Sequence, residues 1–239
     1  NSLGDSSPSD TLYGYPSKIW YVEMDGDDDN DGKSKATAFE TIEQAIKTNS
    51  SLATGDTIYV GPSISSANPT RYKGGGGYYD FGGSKSDINL NHNKNFVLIG
   101  TSGADSTIFN AEGNGRHFTL DDGQSSATKF IGITFYNGKL DDATEGGSIR
   151  MSNNTSIQFI SCVFDSNRVD FGFGESSDNY AYGGAITISS SSSPYFESCS
   201  FINNWAAGIY GYGGALRLNS ANSEDTFKDT IKIVNSIFR

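Results

Sequence analysis

The sequence is poor in positive charge, in cysteine and histidine, in proline and in long apolar runs, and each shortage removes a class of function. It sets 17 Lys and Arg against 28 Asp and Glu, a formal net charge of −11. That balance argues against nucleic acid and anionic membrane surfaces as partners, because both demand basic patches. Its plainer consequence is solubility. No apolar run approaches the roughly 20 residues that cross a bilayer as a helix, so no transmembrane segment is expected. Two Cys and two distant His, His92 and His117, do not assemble a metal-ligand set. Five prolines beside 29 glycines and 13% aromatics describe a turn-rich β protein rather than a disordered one. An initiator Met and a signal-peptide pattern are both missing, so the chain reads as an excised or processed segment.

What the sequence does have is a repeat. FYNG (Phe135–Gly138), FDSN (Phe164–Asn167) and FINN (Phe201–Asn204) alternate with GGSI (Gly146–Ile149), GGAI (Gly183–Ile186) and GGAL (Gly213–Leu216), and Phe238 opens a further unit. The Phe positions step by 29, 37 and 37 residues, and the Gly-Gly pairs by 37 and 30. A beat of this size, made of short strands and Gly turns, is the signature of a solenoid.

Within a unit, Ile149-Arg150-Met151, Ile186-Thr187-Ile188 and Leu216-Arg217-Leu218 read as in-out-in strands. A second run follows each: Ile157-Gln158-Phe159, Pro194-Tyr195-Phe196 and Ile231-Lys232-Ile233. A third comes after a polar corner at Ser161, Ser198 or Asn235 and carries Phe164, Phe201 or Phe238. Three strands and three corners per ~30 residues make one coil of a parallel β-helix, with like residues stacked ~4.8 Å apart. Phe135, Phe164, Phe201 and Phe238 are expected to form an internal aromatic stack, and Asn167 and Asn204 a polar one. The Gly-Gly pairs fall where the chain re-enters the sheet and needs positive φ or close backbone approach. The first strand extends back through Phe118-Thr119-Leu120 to Ile88-Asn89-Leu90, so at least five coils are visible. Cys162 and Cys199 share a column at a spacing a disulfide tolerates. In-register neighbours point the same way, however, and stacked buried thiols are the default expectation.

The FxxN and GGA-aliphatic spacing over residues 135–239 resembles the polymorphic outer membrane protein repeat of autotransporter surface proteins. Its first unit departs from that pattern, with Gly138 in the Asn place and GGS for GGA. The resemblance implies an all-β, right-handed parallel β-helix of the pectin-lyase-like superfamily, extracellular or on a bacterial cell surface.

Residues 1–17 are rich in Ser, Asp, Gly and Pro and are expected to be flexible. Residues 18–239 are expected to form one domain, with an N-terminal cap over about 18–60 and an incomplete last coil. After a strand at Ile19-Trp20-Tyr21-Val22 comes the acidic run DGDDDNDG, residues 25–32. Asp27, Asp29 and Asp31 with Gly32 follow the 1, 3, 5 carboxylates and position-6 glycine of a Ca²⁺ loop, but Ala38 stands where its Glu would be. Two readings stay open: Ca²⁺ as a cofactor at Asp27, Asp29 and Asp31, or a tight polar turn held by Asx hydrogen bonds. Thr37-Ala38-Phe39-Glu40 has the capping-box pattern and predicts a capping α-helix through about Lys47. Its Phe39, Ile42, Ala45 and Ile46 share a face suited to closing the open apolar end of the solenoid. With GDTIYV (Gly55–Val60) the segment resembles the start of bacterial pectin-lyase-like proteins, a likeness shared by lyases and adhesins that selects no function. The long insertion at residues 61–86 contains Gly74–Gly77, which lack the GK[ST] ending of a phosphate loop.

The outward column Asn89, Thr119, Arg150, Thr187 and Arg217 holds two arginines and no carboxylate. The next column, Lys129, Gln158, Tyr195 and Lys232, has none either. The resemblance implies that lyases of this architecture need a carboxylate cluster for Ca²⁺ and a Lys or Arg base, and a glycosidase needs two carboxyls flanking the bond. Neither set can be placed on one face. Arg150 and Arg217 then read either as solvated arginines or as part of a binding face. The stretches between FxxN and GGA all leave the same corner and carry Phe171, Phe173, Tyr180, Tyr182, Trp205, Tyr210 and Tyr212 among carboxylates. Such aromatics suit sugar stacking or a protein partner, or else fold back over the neighbouring coil. The expected function is a non-catalytic, adhesin-like or passenger-type scaffold, monomeric in isolation, that binds polysaccharide or a cell-surface protein, with Trp205 as an anchor. The alternative is a carbohydrate-active enzyme, a polysaccharide lyase or glycoside hydrolase.

Overall fold

A computed structural model describes residues 17–63, 79–80, 86–90, 92–141, 145–170, 180–219 and 231–239. Residues 1–16 of the segment expected to be flexible, and most of the insertion at 61–86, fall outside them. The protein is all-β with one short helix, and its strands lie in parallel sheets. Most strands are three or four residues long, because a corner interrupts each apolar alternation before it can extend.

Three sheets are built from strands of successive repeats. The first has seven strands: Ile19–Val22, Thr57–Val60, Val97–Gly100, Lys129–Ile131, Gln158–Ile160, Tyr195–Glu197 and Lys232–Val234. The second has six, running from Tyr79–Asp80 through Ile108–Asn110, Thr134–Tyr136, Val163–Asp165 and Ser200–Ile202 to Ile237–Phe238. The third carries the Gly-Gly strands Ile149–Met151, Ile186–Ser189 and Leu216–Asn219, continuing back to Gly115–Leu120 and Ser86–Leu90. It also has an arm made of Lys139–Leu140, Arg168–Asp170 and Trp205–Ala207. The sequence repeat is the pairing register: Phe135 faces Phe164, Phe164 faces Phe201, and Phe201 faces Phe238. One antiparallel contact, Lys139 with Gly115, joins the arm to the rest of its sheet.

The corners explain the small polar residues between strands. Ser161, Ser198 and Asn235 all have φ near +50°, as do Asn137, Ser166 and Asn203 inside the FxxN units. Residues there must adopt the left-handed conformation, which Asn tolerates better than most. Inside, the Phe stack forms as expected from Phe135 on: ring centroids are 4.9 Å apart for Phe135–Phe164 and for Phe164–Phe201, with interplanar angles of 11° and 7°. Phe159 and Phe196 form a second stack at 5.1 Å. Cys162 and Cys199 are buried free thiols, each donating to a carbonyl of the preceding repeat, Phe130 and Phe159 respectively.

The helix departs from its expected start. Thr37 does not cap it; its hydroxyl donates to Asp31, and residue 39 is extended, in a parallel bridge with Val22. Phe39 is buried there against Trp20, an alternative that outcompetes the local helical preference. The helical turns begin at Ile42 and run as a π-helix over Gln44–Thr48, closed by Asn49 N–H donating to the Gln44 carbonyl. The N-terminal cap is Thr41, whose Oγ1 accepts from Gln44 N–H. Ile42, Ala45 and Ile46 are buried against the first strands, so the expected apolar face is present on a shorter helix.

Candidate binding face

Beyond each FxxN the chain is turned outward by an amide ladder. Asn167 is fully buried; its Nδ2 donates to the Phe135 carbonyl and to Asn204 Oδ1, each at 3.0 Å. Its Oδ1 accepts from Gly138 N–H at 2.8 Å. Gly138 occupies the Asn place of the first unit, and a Cβ there would lie 2.2 Å from the Gly147 carbonyl oxygen. The departure from FxxN thus has a steric cause.

The residue after each FxxN begins an arm strand, and register places Lys139, Arg168 and Trp205 in one column. The Arg168 guanidinium lies over the Trp205 indole, 5.9 Å from the ring centroid. Inward of this column Val169 is fully buried, which pins the arm to the body. The chain then forms a separate two-stranded parallel sheet, Tyr180–Tyr182 with Tyr210–Tyr212. Ala181 is buried, so the tyrosines flanking it point the other way. Tyr180 and Tyr210 stack at 5.0 Å, Tyr182 and Tyr212 at 5.4 Å, and Tyr180 and Tyr182 at 5.8 Å. Four rings form one aromatic plate, on which Tyr210 and Tyr212 are about half exposed. Gly211 lets the layers meet, since a Cβ on it would sit 2.5 Å from the Ala206 carbonyl oxygen.

The Gly-Gly pairs return the chain to the body as anticipated. Gly146, Gly183 and Gly213 have φ of +66°, +60° and +68°, and Gly147 and Gly184 approach the next repeat too closely for any side chain. The residue before each pair falls in one column: Glu145 bridges Tyr182, and Tyr182 pairs with Tyr212. Beside it runs the column of Arg150, Thr187 and Arg217. Both arginines have carboxylate partners, although Arg150 stays 37% exposed and Arg217 is 19% exposed. Arg217 Nη1 donates to Glu145 Oε1 at 3.2 Å, and its guanidinium carbon sits 3.4 Å from the Tyr182 ring centroid. Arg150 pairs with the other Glu145 oxygen at 3.5 Å and with Asp121 at 3.9 Å. Carboxylates absent from the column itself reach it from the flanking turns, while Thr119 and Thr187 beneath are buried.

No known protein family, curated protein or solved structure matches the chain. The chemistry of this face therefore rests on its own residues.

Of the residues anticipated from sequence, Tyr180, Tyr182, Tyr210, Tyr212, Arg150 and Arg217 are brought together with Glu145, which was not anticipated. Its signal was the place before a Gly-Gly pair. Trp205 lies on the adjoining arm with Arg168 and Lys139, also unanticipated, each directly following an FxxN unit. Phe171 and Phe173 lie outside the described residues. Of Asp27, Asp29 and Asp31, the carboxylates of Asp27 and Asp31 accept the hydrogen bonds of the polar-turn reading. Asp27 Oδ1 accepts from Asp29 N–H, and Asp31 Oδ1 accepts from Lys33 N–H and from the Thr37 hydroxyl. The Thr37 hydrogen bond, first among several, holds the Asp31 carboxyl below its usual range. Among the described residues no three His, Cys, Asp or Glu side chains gather as a metal-ligand set.

Two buried groups suggest chemistry by type but not by setting. His117 Nε2 donates to the Phe109 carbonyl at 2.8 Å, and Ser148 Oγ lies 3.0 Å from Nδ1. Burial, opposed in part by these backbone contacts, pushes its pKa down to about 4. Burial likewise pushes the Cys162 thiol well up. Neither reaches solvent, and both are core groups with satisfied partners.

Proposed function

We propose that the chain is a right-handed parallel β-helix carrying repeats of the polymorphic outer membrane protein type, and that it acts as a non-catalytic binding scaffold. In this reading it belongs to an extracellular or cell-surface protein, and one side is decorated for recognition of polysaccharide or a surface protein. The observation that carries it is the plate of Tyr180, Tyr182, Tyr210 and Tyr212, joined by the exposed indole of Trp205. Tyr and Trp offer large, stiff, amphipathic surface, and such side chains dominate recognition energetics. Rigid strands hold them, supported by the Arg217–Glu145 pair, so little ordering accompanies binding.

Catalysis is the weaker reading. A lyase would use the arginine column with a carboxylate cluster, but Arg150 and Arg217 already engage Glu145 and Asp121. The deciding experiment is a glycan array with a cell-surface pull-down, run on wild type and on the double variant Tyr210→Ala, Tyr212→Ala. Both tyrosines are half exposed, so the variant should melt within a few degrees of wild type while losing its ligands about tenfold or more. Undiminished binding by a folded double variant would remove the plate from the function.

A further inference from the structure

Three of the cations on this side are neutralised. Lys139 pairs with Asp141, Arg150 with Glu145 and Asp121, and Arg217 with Glu145. Arg168 differs. Among the described residues no carboxylate lies within ion-pair distance of it, and its Nε is buried without a hydrogen-bond acceptor. Its contact is with the Trp205 ring, and Trp205 is still 42% exposed. Arg168 as a whole is only half-buried, its charge has no carboxylate partner among the described residues, and a bidentate carboxylate is the partner its planar fork fits best.

We propose that Arg168 and Trp205 together take a terminal sugar bearing a single carboxylate. Arg168 pairs with the carboxylate while the indole packs against the apolar face of the ring. The stoichiometry sets the class. One guanidinium without an ion pair among the described residues matches one carboxylate, whereas a run of uronate or sulfate groups needs a row of free cations. The net charge of −11 repels such polyanions. A neutral sugar would leave Arg168 as it stands. This assignment rests on the reading of this side as a binding face.

The two tryptophans make the test direct. Trp20 is buried and donates to Asp56, so ligand-induced fluorescence change reports Trp205. The probes are sialyllactose, lactose and polygalacturonate, titrated into wild type, Arg168→Gln and the Tyr210→Ala, Tyr212→Ala variant. Sialyllactose should produce a saturable change, with lactose weaker by about tenfold or more, because a site built for a polar group rejects the analogue lacking it. Arg168→Gln should erase that preference. Should Arg168→Gln fail to fold, Trp205→Phe followed by calorimetry serves instead, and weakened sialyllactose binding is expected. Equal binding of sialyllactose and lactose, with both lost in the double Tyr variant, overturns the carboxylate assignment and leaves the binding face standing. Tighter binding of polygalacturonate overturns the single-carboxylate class. Absence of any glycan response, with a captured surface protein released by the Tyr changes, overturns the sugar assignment alone. Absence of both overturns the assignment together with the binding face.

Discussion

Arg217 lies over Tyr182, its guanidinium carbon 3.4 Å from the centre of the ring, while its Nη1 holds the carboxylate of Glu145 two repeats away. One side chain thus ties the tyrosine plate to the body of the protein across three successive repeats. Glu145 is the shared element, because it also neutralises Arg150. Glu145→Ala is expected to lower stability by about 1 kcal/mol, the scale of a partly exposed charge network. Asp121→Ala, whose contact is long, should stay within about 0.5 kcal/mol. Urea unfolding at low and high salt checks both, and the Glu145 effect should shrink in salt.

The Phe stack supports a graded prediction. Phe164 is fully buried between Phe135 and Phe201, and Phe164→Ala should destabilise by about 3–5 kcal/mol. Phe238 stacks on Phe201 at 4.6 Å but is half exposed, and its alanine variant should lose less than half as much. Equal losses at the two sites would contradict the register.

His117 gives a pH signature. Its pKa is about 4 in the folded protein, below the ordinary histidine value of 6.5. Above the unfolded value neither state carries the proton. As pH falls from 6.5 towards 4 the unfolded chain takes it up and the folded one does not, so stability declines across that window and levels off below it. The loss from this group is about 3 kcal/mol in full. His117→Gln, compared with wild type by urea unfolding at pH 7.5 and pH 4.5, should show a visibly smaller difference between the two conditions. An identical pH dependence in the two proteins would remove His117 from the effect.

The acidic loop is already internally satisfied, with Asp28 accepting from Glu40 N–H, Thr41 N–H and the Thr41 hydroxyl. Chelator and millimolar Ca²⁺ are expected to leave the melting temperature within about 1 °C of each other. A rise of several degrees with Ca²⁺ would restore the cation reading of Asp27, Asp29 and Asp31.

The strand columns were legible because each uses a period of two and the repeat returns the same residue types to the same place. Phe, Asn, Cys and Gly-Gly all fell where that arithmetic put them. The helix start was not legible, since Thr37 fits a capping box locally while Asp31 and Val22 claim Thr37 and Phe39 through the fold. Arg150 and Arg217 looked solvated because their partners, Glu145 and Asp121, lie in turns whose direction no alternation specifies. Arg168 is not legible for a related reason. Which side chains lie beside it among the described residues is a property of three dimensions.

Hydrogen–deuterium exchange with the tightest array ligand bound tests the central claim most directly. Ligand should slow exchange at Trp205–Ala207, Tyr210–Tyr212 and Tyr180–Tyr182, the strands of the aromatic side, and leave Lys129–Ile131, Gln158–Ile160 and Tyr195–Glu197 unchanged. Protection confined to those three strands of the first sheet, with the tyrosine strands exchanging as before, would contradict it.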